Sequence, residues 1–128
     1  MSKIYFILLL IIVPVLFACS ESISKFPQKS FRNRLSEGDI HVGMSINYFD
    51  SWKTDFQPRY LNLAERHTLN AIRLFSHLEF DTSPRLTEYY IVRERRNRSC
   101  RLLAELQFVA TNHGHQLSNS TPDGCIYF

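Results

Sequence analysis

Residues 87–110 carry the stretch on which the fold turns. It runs Thr87-Glu88-Tyr89-Tyr90-Ile91-Val92-Arg93-Glu94, then Arg95-Arg96-Asn97-Arg98-Ser99-Cys100-Arg101, then Leu102-Leu103-Ala104-Glu105-Leu106-Gln107-Phe108-Val109-Ala110. The first third is rich in Tyr, Ile and Val, side chains that suit a pleated surface. In the last third Leu102, Ala104, Leu106, Phe108 and Ala110 alternate with Leu103, Glu105, Gln107 and Val109, the period of a strand. On this reading Arg96-Asn97-Arg98-Ser99 is a hairpin turn. Asn112-His113-Gly114-His115 makes the next turn, with Gly114 suited to positive φ. After a Pro122-Asp123-Gly124 turn, Gly124-Cys125-Ile126-Tyr127-Phe128 supplies a third strand.

Upstream the period is closer to four. Phe49, Trp52 and Phe56 make one aromatic face of a short helix, opened by Ser45 as N-cap after Gly43 and closed by Pro58. A second helix starts at Asn62 with Glu65 in a capping-box spacing. Its stripe runs through Ala64, Ala71, Ile72, Phe75 and Leu78, ending before Asp81-Thr82-Ser83-Pro84. The expected fold class is α+β, with two N-terminal helices packed on a three-stranded antiparallel meander in two layers.

The N-terminus reads MSKIYFILLLIIVPVLFACS. Lys3 precedes an apolar run from Ile4 to Ala18 that is shorter than the roughly 20 residues of a spanning helix and contains Pro14. Residues 1–18 therefore read as a signal peptide, with an uncleaved N-terminal anchor as the alternative. The ending Leu16-Phe17-Ala18-Cys19 resembles the lipobox of bacterial lipoproteins. That resemblance implies cleavage before Cys19, a diacylglycerol on its thiol and an acylated amino group. Several acyl chains would hold the protein on a membrane stably, at about 0.8 kcal/mol per buried methylene. By the sorting habit of that family, Ser20 after the cysteine implies the outer membrane, facing the periplasm. Residues 19–39, polar and Ser-rich, read as a lipidated flexible tether holding a domain of residues 40–128 roughly 25 Å from the bilayer. Phe26, Phe31 and Leu35 leave open the alternative that the second half of this segment packs on the domain.

The chain has 128 residues, 45% of them hydrophobic, with ten Phe, six Tyr and one Trp. So much aromatic surface excludes a disordered chain, and four Gly with five Pro exclude collagen-like and linker-like classes. The net charge of +3 falls to +2 once Lys3 leaves with the signal. Overall charge thus names no partner, and an envelope location argues against nucleic acid.

Cys19 aside, two cysteines remain. A hairpin centred near His113 places residue 100 opposite about residue 126, so Cys100 and Cys125 face each other. An oxidising periplasm allows the bridge; two unrelated thiols are the alternative.

The motifs of phosphate loops, nucleophile elbows, zinc proteases and C-x-x-C redox sites are all missing. No catalytic, cofactor-binding or metal-ligating residue is assigned, and the expectation is a non-enzyme without cofactor. His113 and His115 flank Gly114 and could hold a metal given a third ligand; a polar hairpin tip explains them as well. His67 lies among charged residues, and His77 near a helix end complements the dipole. The one local anomaly is Arg93, Arg95, Arg96, Arg98 and Arg101, relieved only by Glu94. Such a cluster can grip phosphates or carboxylates of lipid headgroups, lipopolysaccharide or an acidic partner protein. A solvated turn paired with nearby acids is the plainer reading.

Gly43-Met44-Ser45 opening a first helix, with the order lipobox, tether, two helices and meander, resembles the SmpA/BamE-like lipoproteins. The resemblance implies helices packed on a sheet at the periplasmic face of the outer membrane, and a part in β-barrel assembly through partner proteins and lipid. The expected function is therefore a non-enzymatic outer-membrane lipoprotein whose domain binds a protein or envelope component. A periplasmic inhibitor or immunity lipoprotein and a small envelope hydrolase are the alternatives.

Overall fold

Among the described residues, three long helices make up the domain. The computed structural model describes residues 30–118 and 121–125. Helix α1 spans Phe31–Asp55, α2 spans Pro58–Phe80 and α3 spans Thr87–Asn112, followed by one 3-10 turn at Asp123–Cys125. No strand occurs among the described residues. The α+β expectation, with its meander and two layers, is therefore corrected to an all-helical fold.

The reason lies in residues 87–112. No Gly or Pro interrupts them, and Arg, Glu, Leu and Ala are strong helix formers. Their buried positions are Val92, Ser99, Cys100, Leu103, Leu106 and Ala110, a stripe that falls on one helical face, with steps of seven from Val92 to Ser99 and of three, three and four from Cys100 onward. The strand-like alternation has no counterpart in burial, since Phe108 is 67% exposed while Leu103 is buried. The supposed turn at Arg96–Ser99 is helix interior, braced by a Glu94–Arg98 ion pair of 3.1 Å one turn apart.

Helix α1 also begins earlier than expected. Ser45 is not an N-cap but a fully buried mid-helix residue, so Gly43-Met44-Ser45 opens nothing. Phe31 and Leu35 pack against Ala71, Phe75, Leu78 and Val92. The boundary drawn at Asp39 thus falls inside α1, and residues 31–39 belong to the domain. The signal peptide, Cys19 and the first part of the expected tether lie outside the described residues, as do Ile126, Tyr127 and Phe128. Between α1 and α2, Phe56 takes a positive φ of 53° and its N–H bonds the Trp52 carbonyl at 2.7 Å. Pro58 then starts α2, where its missing N–H costs nothing. Asn62 is consequently interior to α2, and Glu65 turns to the C-terminal segment instead of capping.

Helix α2 is the central element, packing against both α1 and α3. At one end Phe49 and Trp52 meet Leu61, Ala64, Leu106, Ala110 and Leu117. Toward the other, α1 crosses α2 closely at Gly38, where a Cβ would lie 2.3 Å from the Phe75 ring. Only glycine fits that crossing.

Beyond Gly114, at φ 70° as its position suggested, the chain folds back along the helices. Leu117 is buried, and the Ser118 N–H donates to the Glu65 carboxylate at 3.2 Å. Farther on, Cys125 is bonded to Cys100, with Cα atoms 5.6 Å apart. The expected pair is present, but an irregular segment returning along α3 brings the two together, not a hairpin register. Gly124 sits tightly there, because a Cβ would lie 2.4 Å from Ser76 Oγ.

Candidate functional site

Helices α1 and α3 leave a groove of about 400 Å³ over α2. Asp39, Val42 and Ile46 form the α1 wall, Arg95, Arg98, Ser99 and Leu102 form the α3 wall, and Phe75 of α2 lies beneath. Each wall follows from helical spacing: three or four residues per step keep one face of α1 and one of α3 toward the gap. Its exposed lining is mostly apolar, with Asp39, Arg95 and Arg98 as its charged members. An ion pair from Arg95 to Asp39 crosses between the walls.

The five arginines singled out by sequence do not form one grip. Helical geometry sends them around α3. Arg95 reaches α1, whereas Arg96 turns to α2 and pairs with Glu79. The Arg96 and Glu79 side chains are only 19% and 11% exposed, and Arg96 Nε is buried without a hydrogen-bond partner. Arg98 pairs with Glu94 in the open, both more than 60% exposed. Arg93 and Arg101 are exposed on α3. Two of the five therefore tie α3 to its neighbours, and only Arg95 and Arg98 line the groove.

Nor do the histidines flanking Gly114 converge. His113 packs edge-on against Trp52 with ring centres 4.8 Å apart, and His115 Nε2 lies 3.2 Å from Asn62 Oδ1. Among the described residues no group of three or more metal-ligating side chains gathers. His77 is exposed in the last turn of α2.

Two arrangements escaped the sequence reading. In the α1–α2 interface Ser45 Oγ lies 2.5 Å from Thr68 Oγ1, and both hydroxyls reach the Ala64 carbonyl, at 2.9 and 2.8 Å. Beside it, His41 and His67 meet ring to ring with their Nδ1 atoms 2.9 Å apart. The signal was available in Gly38, His41, Ser45, Tyr48 and Trp52, which recur by three and four. That stripe of small and polar residues reads as a helix face only once the helix is allowed to start before Ser45. Neither a protein-family model, nor a curated protein, nor a solved structure matches the chain.

Proposed function

We propose that this chain is a lipid-anchored protein of a bacterial outer membrane, facing the periplasm, and that its helical domain is a non-enzymatic binding module. The observation carrying this reading is Leu16-Phe17-Ala18-Cys19 at the end of an apolar run, with Ser20 after it. The Cys100–Cys125 bridge supports it, since such bonds persist in oxidising compartments and are rare in the cytosol. The groove between α1 and α3, mostly apolar and also lined by Arg95, Arg98 and Asp39, is the surface we assign to a protein or envelope partner. With no sheet among the described residues for the helices to pack on, the β-barrel assembly role implied by the SmpA/BamE-like resemblance is set aside.

The test is Cys19→Ser with membrane fractionation and mass spectrometry of the mature N-terminus. Wild type is expected in the outer-membrane fraction with an acylated Cys19, and the variant in the soluble periplasm. An unacylated wild-type Cys19, or a variant that stays on the membrane, overturns the anchoring. Co-purification of one envelope protein, lost on Ile46→Glu in the groove, supports the binding role. Turnover of a cell-wall fragment by the purified chain would replace it with an enzyme.

A further inference from the structure

His41 of α1 and His67 of α2 face each other along one line. Their Nδ1 atoms are 2.9 Å apart, and their ring centres are 5.2 Å apart with planes tilted by 30°. For two five-membered rings, that centre separation is about as long as the nitrogen contact allows. Both nitrogens therefore lie close to the line joining the ring centres. An N–H on one ring then points straight at the lone pair of the other, the arrangement of a shared hydrogen. Two ligands of a metal would instead bend toward a point beside that line. Tyr48 of α1 stacks on His67 at 5.6 Å and 10°, and Tyr60 of α2 flanks Tyr48 at 6.4 Å. Glu37 lies one turn before His41 on α1, and Arg66 adjoins His67 on α2.

This contact tolerates a neutral pair, or a pair with one added proton, because one nitrogen remains free to accept. A second added proton leaves two N–H bonds aimed at each other, with like charges at the same spot. His67 accordingly titrates below the ordinary 6.5; burial is the main cause, followed by His41 and Arg66. His41 sits between Asp39, which holds Arg95, and Val42, which lines the groove. Whatever moves this turn of α1 away from α2 also moves one wall of the groove.

We propose that the His41–His67 contact is a proton-operated clasp, closed with at most one added proton and opened by the next, which sets the position of the α1 wall. Its bearing on binding rests on the groove being the partner site, whereas the clasp itself does not. The periplasm follows the pH outside the cell, so an envelope protein would meet the relevant range.

The experiment uses the purified full chain in detergent, with histidine ring signals followed by NMR and hydrogen exchange read over residues 39–48 of α1. His67 is expected to titrate below 6.5. Protection of that segment, corrected for intrinsic exchange, should fall by up to about tenfold per pH unit from 6.5 down to the point where His67 takes its proton. In His41→Gln, His67 moves part of the way back toward 6.5, since burial and Arg66 remain, and the pH-dependent loss of protection shrinks. Should that variant fail to fold, His67→Gln is expected to abolish the same loss. An ordinary His67 titration in wild type, or protection that ignores pH, overturns the clasp. A working clasp in a chain that is not membrane-bound removes the location and keeps the inference; a membrane-bound chain without the clasp does the reverse.

Discussion

Reducing the Cys100–Cys125 bond changes no atom of the fold except two hydrogens, which makes it the cleanest perturbation available. The bridge spans 25 residues of sequence. In the chain-entropy account, closing a loop of that size restricts the unfolded chain by about 3.5 kcal/mol. A domain of this size typically holds about 5–15 kcal/mol in total, so the bridge would supply a large share. At roughly 4–8 °C per kcal/mol for a small domain, the midpoint of melting should drop by about 14–28 °C. The native segment between the cysteines is also held by Leu117 in the core and by Ser118 on Glu65. Those anchors keep the returning chain in place after reduction, so the loss should appear in global unfolding more than in local release. The assay is urea unfolding of the oxidised and phosphine-reduced protein, followed by far-UV dichroism with Trp52 fluorescence alongside. The expected result is a loss near 3.5 kcal/mol with a modestly larger denaturant slope, because the reduced unfolded chain exposes more surface. A difference under about 1 kcal/mol would refute the entropic reasoning. Two reactive thiols in the unreduced, denatured protein would refute the bond itself.

Gly38→Ala should destabilise by about 1–3 kcal/mol, since the new methyl would meet the Phe75 ring and one helix must shift; calorimetry reads it, and Gly43→Ala, with open space around its position, is the control. Arg96→Ala strands the largely buried Glu79 and should cost about 1–3 kcal/mol, while Arg98→Ala, removing an exposed pair, should stay within about 0.5 kcal/mol. Equal effects in denaturant titrations would contradict this division of the cluster. Stability should also fall on acidification. The unfolded His67 takes up its proton near 6.5 and the folded one only at lower pH, so between those points the unfolded state binds more protons and is favoured. The slope of stability against pH in that window should shrink in His67→Gln.

How much of this was legible follows from which residues fill the buried stripes. On α2 the stripe is apolar through Ala71, Ile72, Phe75 and Leu78, and the helix and its end at Asp81 read directly. On α3 the same spacing is occupied by Arg96, Ser99 and Cys100, so hydrophobicity alone leaves a gap there. The accident of alternating Leu102, Ala104, Leu106, Phe108 and Ala110 then suggests a strand. The stronger local evidence was negative: a turn proposed at Arg96–Ser99 without Gly or Pro, inside a run of good helix formers. On α1, Gly38, His41 and Ser45 replace large apolar residues because the helices approach closely and bond through side chains. A reading that seeks bulk takes that stretch for a coil and a cap. The cysteine pair survived the wrong topology for a reason that generalises. An antiparallel return can bring two cysteines together whether the outgoing limb is a strand or a helix, provided the returning segment is long enough to reach. A helix advances only about 1.5 Å per residue against about 3.3 Å for an extended chain, so the returning limb here has slack to spare. The pairing of Cys100 with Cys125 therefore reports only that the chain returns toward α3, and it does not discriminate between a meander and a helix.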